Sequence, residues 1–163
     1  MKRLMLLAPS VVLLFACSEN AVSLQPGQWD MTMRFTSIEV PGAPEAAVAP
    51  MRAMLSQPQT SPKCVTPEQA ANPGGNLLSP DGDSSRCNYT ENTFSGGVIR
   101  MRGSCTPPRG GQAQISIEGT YTATTIDAQL SSEVQAPPGT QGPQMVRMSG
   151  AMTGRRTGDC PAP

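Results

Sequence analysis

The chain has 163 residues, and its 12 basic residues balance its 12 acidic ones. This balance argues against the basic surface by which proteins bind nucleic acid, and the absence of histidine removes the commonest general base and metal ligand. The 16 glycines and 17 prolines disfavour long helices, so the composition predicts a β-rich, non-enzymatic protein without a cofactor.

The N-terminal segment has the pattern of an export signal. Lys2 and Arg3 precede an apolar run, residues 4–15, which has the length of a signal-peptide core and is too short to span a bilayer. The run ends in the letters L-F-A-C, which resemble a bacterial lipobox. We therefore predict a lipoprotein signal peptide over residues 1–16 and a lipidated cysteine at Cys17.

A lipidated Cys17 would anchor the protein in a membrane through chains such as palmitate, since each buried methylene contributes about 0.8 kcal/mol. Ser18, where an aspartate would favour the inner membrane, predicts the outer membrane with the protein facing the periplasm. The alternative is cleavage near Ala16 or Ala21, which would leave a soluble periplasmic protein. Residues 17–26 are then a tether, and residues 27–163 form a single β-rich domain.

The stretch "GQWDMTMRFTSIE" predicts the first strand, because apolar and polar residues alternate along it. Period-two alternation is typical of a strand with one buried face. One face would carry Trp29, Met31, Met33 and Phe35, and the other Asp30, Thr32, Arg34 and Thr36.

An insert rich in Pro, Ala and Met follows at residues 41–63. Within it Met51, Met54 and Leu55 have helical spacing, which predicts one short helix. The next stretch, "CVTPEQAAN", predicts a single helical turn with Thr66 as the N-cap and Pro67 at the first helical position.

The stretch "CNYTENTFSGGVIRMRGSC" predicts a hairpin that turns at Gly96. In that register Cys87 faces Cys105, Tyr89 faces Gly103, and Glu91 faces Met101. A disulfide between the two facing cysteines would contribute on the order of 3 kcal/mol. Four cysteines allow three pairings; only this one has a geometric argument, and Cys64 with Cys160 follows by elimination.

The stretch "AQISIEGTYTATTIDAQLSSEV" predicts a second hairpin, in which Tyr121 faces Ile126, Gly119 faces Ala128, and Ile117 faces Leu130. A last strand, "MVRMSGAMTGRR", places Val146, Met148 and Met152 on one face. The predicted fold is therefore all-β: a single curved antiparallel sheet or incomplete barrel of about six strands, with one or two short helical turns and two disulfides.

Several blocks along the chain occur together in a known family. "LQPGQWDMT", "KCVTPEQAA", the cysteines Cys87 and Cys105, and the closing "GRRTGDCP" appear in that order. The chain resembles the bacterial family catalogued as domain of unknown function 3617. The resemblance implies export, often as a lipoprotein, and brings no activity or catalytic residue with it.

Three functions fit this pattern. An interaction module of the envelope would present polar faces and loops, including Arg100, Arg102, Arg155 and Arg156, although such arginines more often form a solvated face. A carrier would hold a small apolar or lipid-like ligand in the concavity of the sheet, with the segment around Met51 and Leu55 across the opening. Its candidate ligand-binding residues are Trp29, Met33, Met51, Met54, Ile117, Leu130 and Met148.

Methionine supplies the third hypothesis. Met31 with Met33, and Met148 with Met152, present thioethers, which are suitable soft ligands for Cu(I). The simpler interpretation is that methionine fills gaps in a core that has few aromatic residues. We expect the core role, and we predict no metal site.

Overall fold

The computed structural model describes residues 22–78 and 85–161, so the predicted signal peptide and Cys17 lie outside the described residues. These two ranges contain seven strands and three short helices. Their bounds are β1 Gly27–Glu39, α1 Glu45–Leu55, β2 Gln59–Val65, α2 Pro67–Ala71, α3 Gly75–Leu78, β3 Cys87–Ser95, β4 Val98–Cys105, β5 Gln112–Tyr121, β6 Thr125–Gln135 and β7 Met145–Gly158. None of the helices in these ranges has the length and apolar character needed to cross a membrane.

All seven strands form one antiparallel sheet in the order β2-β1-β7-β6-β5-β4-β3. The last strand, β7, lies between β1 and β6, so the first and last of the seven strands are neighbours in the sheet. The sheet does not close, because β2 and β3 each pair with only one neighbour. The predicted all-β fold with one open antiparallel sheet is confirmed, with seven strands where about six were expected.

The additional strand is β2, which overlaps the predicted insert at residues 59–63. It pairs with the first half of β1, from Gly27 opposite Val65 to Met33 opposite Gln59. Its first four residues are exposed, and it contains Pro62, so it shows neither alternation nor the usual strand composition. Proline is tolerated there because β2 is an edge strand.

The two predicted hairpins differ in how well their register was predicted. Between β5 and β6 the pairing is the predicted one, with Tyr121 opposite Ile126 and Ile117 opposite Leu130. Between β3 and β4 the cysteine pair is correct, but the prediction that Glu91 faces Met101 is wrong, because Glu91 lies opposite Arg102.

The predicted register of the β3–β4 hairpin is partly wrong because the hairpin combines a tight turn with a bulge. Gly96 and Gly97 both have positive φ, +59° and +81°, so they form a two-residue turn that sets Ser95 opposite Val98. A register shift between Tyr89 and Glu91 then restores the cysteine pairing.

Both disulfides have the predicted partners. Cys64–Cys160 joins β2 to the end of the chain with a Cα–Cα distance of 5.4 Å, and Cys87–Cys105 crosses the β3–β4 hairpin with a distance of 4.0 Å. The first closes a sequence separation of 96 residues and the second one of 18. They therefore fasten opposite edges of the sheet.

Helices α1 and α2 confirm the local predictions, whereas α3 was not predicted. Thr66 caps α2, and it forms a capping box with Gln69, in which each side chain bonds the other residue's backbone N–H. Helix α1 buries Val48 against Ile38, near the end of β1, and Val40, which directly follows the strand. It thus covers one end of the sheet with a small second core.

The main core lies on the concave face of the sheet. Its centre consists of fully buried side chains from several strands: Trp29, Val65, Ile99 and Met101. Residues 22–26, which belong to the predicted tether, pack against it: Leu24 is buried, and the Tyr121 hydroxyl donates to the Val22 carbonyl at 3.0 Å. The backbone N–H of Gln25 also donates to the carbonyl of Ala123 at 2.8 Å.

Candidate functional site

A cavity of about 230 Å³ lies on the concave face, beside the main core. We call this cavity the cleft. Strands β1, β3, β4, β5, β6 and β7 all contribute to it, and helix α3 supplies one wall. Its lining is mainly apolar and consists of Met33, Phe35, Gly75, Leu78, Cys87, Tyr89, Cys105, Ile115, Ile117, Leu130, Ser132, Met148 and Met152.

A small residue stands between larger ones in two neighbouring rows across the sheet. Gly150 stands between Phe35 of β1 and Leu130 of β6, so the middle of that row has no side chain. In the next row Ser132 stands between Ile115 and Met148. A Cβ at position 150 would collide with the Arg34 carbonyl of β1, so the empty space lies beside Ser132, which is too small to fill it.

Tyr89 forms the wall of the cleft on strand β3. Its ring lies against Gly75 of α3 so closely that a Cβ on Gly75 would collide with the phenol ring and its oxygen. Glycine is therefore required at position 75 for this approach. Burial raises the pKa of the Tyr89 hydroxyl above its ordinary value, because the charged form would lose solvation.

A second cavity of about 170 Å³, which we call the side cavity, lies toward β2. It shares Met33, Leu78 and Met152 with the cleft. Polar residues of β1 and β2 line its other side, and among them the Lys63 ammonium donates to the Leu77 carbonyl at 2.8 Å. The two cavities are thus neighbours across a shared wall.

A larger groove of about 600 Å³ runs along the free side of β3. It is shallow and mostly polar, with Asn72, Asn92 and Thr93 in its lining. Because it is more open to solvent, it offers a ligand less burial than the cleft does.

The predicted ligand-binding residues fall into two groups. Met33, Ile117, Leu130 and Met148 line the cleft. The other three lie elsewhere: Trp29 is fully buried in the main core, Met51 packs in the second core, and Met54 is 62% exposed. Helix α1 contributes no residue to the cleft lining, so the segment expected across the opening covers the end of the sheet instead.

Several lining residues were not predicted from the sequence. Phe35 and Met152 share the predicted apolar faces of β1 and β7, so alternation alone could have placed them. Leu78 and Gly75 could not have been found that way, because α3 is a four-residue helix in a glycine-rich stretch with no periodicity.

The methionines of β1 and β7 come together on the concave face. Met33 lies directly opposite Met152, and Met31 lies opposite Gly154. Met31 and Met33 pack against the main core, in agreement with a filling role. In the described part of the chain, no three His, Cys, Asp or Glu residues are grouped as metal ligands.

The arginines of the predicted interaction surface are partly engaged within the protein. Arg102 bonds Glu118 at 2.6 Å on the convex face, and this bond raises the pKa of the guanidinium. Arg156 donates to the Pro26 carbonyl at 2.8 Å and pairs with Asp159 at 2.7 Å, so it holds the N-terminal segment. Arg100 and Arg155 are exposed.

The model of one protein family, described as a protein of unknown function (DUF3617), matches residues 24–160. The matched range includes all seven strands and both disulfides. None of the curated proteins and none of the solved structures matches the chain.

Proposed function

The chain belongs to the DUF3617 family of proteins of unknown function, and we propose that it is a non-enzymatic module of the bacterial envelope that binds a small apolar ligand in the cleft. The observation that supports this role is the cleft itself, an apolar cavity on the concave face between six strands and a helix. Cavities with a mainly apolar lining and few polar groups are the usual form of small-molecule sites.

The balance of polar and apolar groups in the cleft determines the ligand class. Ser132 and Tyr89 are the hydroxyl-bearing side chains of the lining, and no charged side chain belongs to it. A charged group would lose its hydration there without a partner of opposite charge, which is costly. The part of the ligand that enters the cleft is therefore uncharged and mainly hydrocarbon.

The proposed location is the periplasmic side of the outer membrane, with Cys17 as the lipid anchor. Two features support it: the lipobox-like end of the N-terminal apolar run, and the two disulfides, which are typical of oxidising compartments. A Cys17→Ser variant should move from the membrane fraction to the soluble periplasm, as fractionation would show. If this variant still sediments with membranes, Cys17 is not the anchor.

The first test of ligand binding is native mass spectrometry of the Cys17→Ser chain, purified gently from the periplasm. We expect extra mass that leaves on denaturation and corresponds to an apolar organic molecule. Retained copper would instead favour Cu(I) binding by the methionines of β1 and β7. A bare protein would weaken both binding roles and leave an interaction module as the alternative.

Two neighbouring serines offer a matched test of the site. Ser132 faces the cleft, whereas Ser131 is exposed on the convex face of the same strand. Ser132→Trp should fill the cleft and lower the affinity for a neutral fluorescent probe such as N-phenyl-1-naphthylamine by about tenfold or more. Ser131→Trp should leave the affinity unchanged. Equal affinities for the two variants would place the probe outside the cleft.

A further inference from the structure

The cleft and the side cavity share a wall of three side chains, one of which comes from helix α3. Leu78 belongs to the lining of both, together with Met33 and Met152, which face each other on β1 and β7. These two methionines belong to the sheet, whereas Leu78 ends a four-residue helix. Leu78 is therefore the member of the shared wall that can change its rotamer or shift without displacing a strand.

The joined space has the size of one hydrocarbon chain. The two cavities hold about 230 and about 170 Å³, which together give about 400 Å³. A methylene group is taken to occupy ~30 Å³, the volume of a water molecule in the liquid. On this basis the cleft takes roughly eight carbons and the joined space roughly thirteen. Two such chains, as in a phospholipid, would need about twice this volume.

The arrangement of the cavities determines the shape of the chain. The side cavity lies over β2, β1 and β7, and the cleft continues from β1 toward β3, so the two follow each other across the sheet. Gln59 and Ser61 supply hydrogen-bonding groups at the β2 end, where a polar head group would be satisfied. The other end is closed by the Cys87–Cys105 disulfide and Tyr89.

We propose that the ligand is a single-chain amphiphile with an unbranched acyl or alkyl chain of about 12 to 14 carbons, which passes Leu78 and occupies both cavities. This inference rests on the proposed function, because it names the class of ligand for the same cleft. Leu78 is then the residue that sets the accepted chain length.

The test is a competition experiment with straight-chain 1-alkanols from 6 to 18 carbons against N-phenyl-1-naphthylamine, on the Cys17→Ser chain. Each buried methylene should raise the affinity by about fourfold. In the wild-type cleft this rise should continue to about 12 to 14 carbons and then stop. In Leu78→Trp it should stop at about 8 carbons, because the indole closes the passage.

A matched control distinguishes closure of the passage at Leu78 from a general loss of stability. Leu24 is also buried, but it lines neither cavity, so Leu24→Ala should keep the wild-type chain-length limit. If Leu78→Trp does not fold by circular dichroism, Leu78→Phe replaces it with the same expected direction.

The outcomes distinguish this inference from the proposed function. A wild-type limit near 8 carbons, or a limit that Leu78→Trp and Leu78→Phe leave unchanged, overturns the joined chain site while apolar binding in the cleft stands. A rise that continues through 18 carbons also overturns it. Failure of every alkanol and of the probe itself to bind overturns the proposed function.

Discussion

The two halves of the concave face are made by the same strands but are packed differently. In one half, around Trp29, Ile99 and Tyr121, side chains are almost fully buried. In the other half, Phe35 and Met148 are only half-buried, and the cleft lies between them. We call these the packed half and the open half.

The difference shows that alternation alone does not complete a core. The packed half is covered by residues 22–26, which place Leu24 on the core and accept a hydrogen bond from the Trp29 indole at the Gln25 carbonyl. The open half has Ser132 on its inner face, and this small side chain leaves space that α1 and α3 do not fill. Stability is therefore expected to reside in one half and ligand binding in the other.

The largest expected effect compares the two disulfides: Cys87–Cys105 borders the cleft in the open half, and Cys64–Cys160 fastens the opposite edge of the sheet. Replacing Cys64 and Cys160 by serine should cost about 4 to 5 kcal/mol of unfolding free energy, because the bond closes a long loop, whereas replacing Cys87 and Cys105 should cost about 3 kcal/mol. Urea unfolding of the two double variants measures the difference. Equal losses would show that loop length does not determine their contributions.

The second comparison removes one large side chain from each half. Trp29→Ala should lose about 3 to 5 kcal/mol, since it leaves a void in a fully buried site. Met148→Ala should lose about 1 kcal/mol, because its side chain is half-buried and already borders a cavity. Urea midpoints at constant m-value provide the measurement, and a loss at Met148 as large as that at Trp29 would contradict the division into two halves.

The third comparison adds volume at two inward-facing positions of β6. Ala128 is 1% exposed in the packed half, so Ala128→Leu should overpack the core and cost about 1 to 3 kcal/mol. Ser132→Leu fills part of the cleft, so it should leave stability unchanged or raise it by up to about 1 kcal/mol while weakening probe binding. Thermal unfolding and probe titration test both variants. Destabilisation by Ser132→Leu would mean that the cleft is not open in solution.

The parts of the fold that could be predicted are those whose structure is determined by their own residues, through alternation of apolar and polar side chains or through turn and capping residues. Strand β1, the β5–β6 register and the capped turn at Thr66 follow from the sequence for this reason. Strand β2 was not predictable, because pairing with β1 rather than its own side chains makes it a strand. The β3 bulge was missed because the two-glycine turn and the disulfide require different registers, and only the folded hairpin shows where the chain absorbs the difference.

For the cleft, the sequence predicted which face of the sheet carries it, but not which side chains on that face other segments bury. Met33, Ile117, Leu130 and Met148 were found because they share the apolar side of four different strands. Trp29 lies on that same side, yet residues 22–26 bury it, and this contact comes from a segment expected to be a tether. Local patterns show which way a side chain points, whereas the depth of its burial depends on distant segments.

The smallest expected effect concerns Tyr89 in the open half. Its pKa in the folded protein is raised by burial, whereas in the unfolded chain it is about 10. Below pH 10 the hydroxyl is neutral in both states, so stability is complete there. As the pH rises above 10, the unfolded chain ionises first, and stability falls up to the folded pKa.

Tyr89→Phe isolates this contribution, because phenylalanine keeps the ring against Gly75 but cannot ionise. Between pH 9 and pH 10.5 the wild type should lose more unfolding free energy than the variant does, and the difference in absorbance at 295 nm between the two should titrate above pH 10. A chain bound in the cleft excludes further water from Tyr89, so it should move this titration to still higher pH. If the titration does not respond to a saturating alkanol that displaces the probe, the ligand does not contact the Tyr89 wall, and the binding site lies nearer to β2.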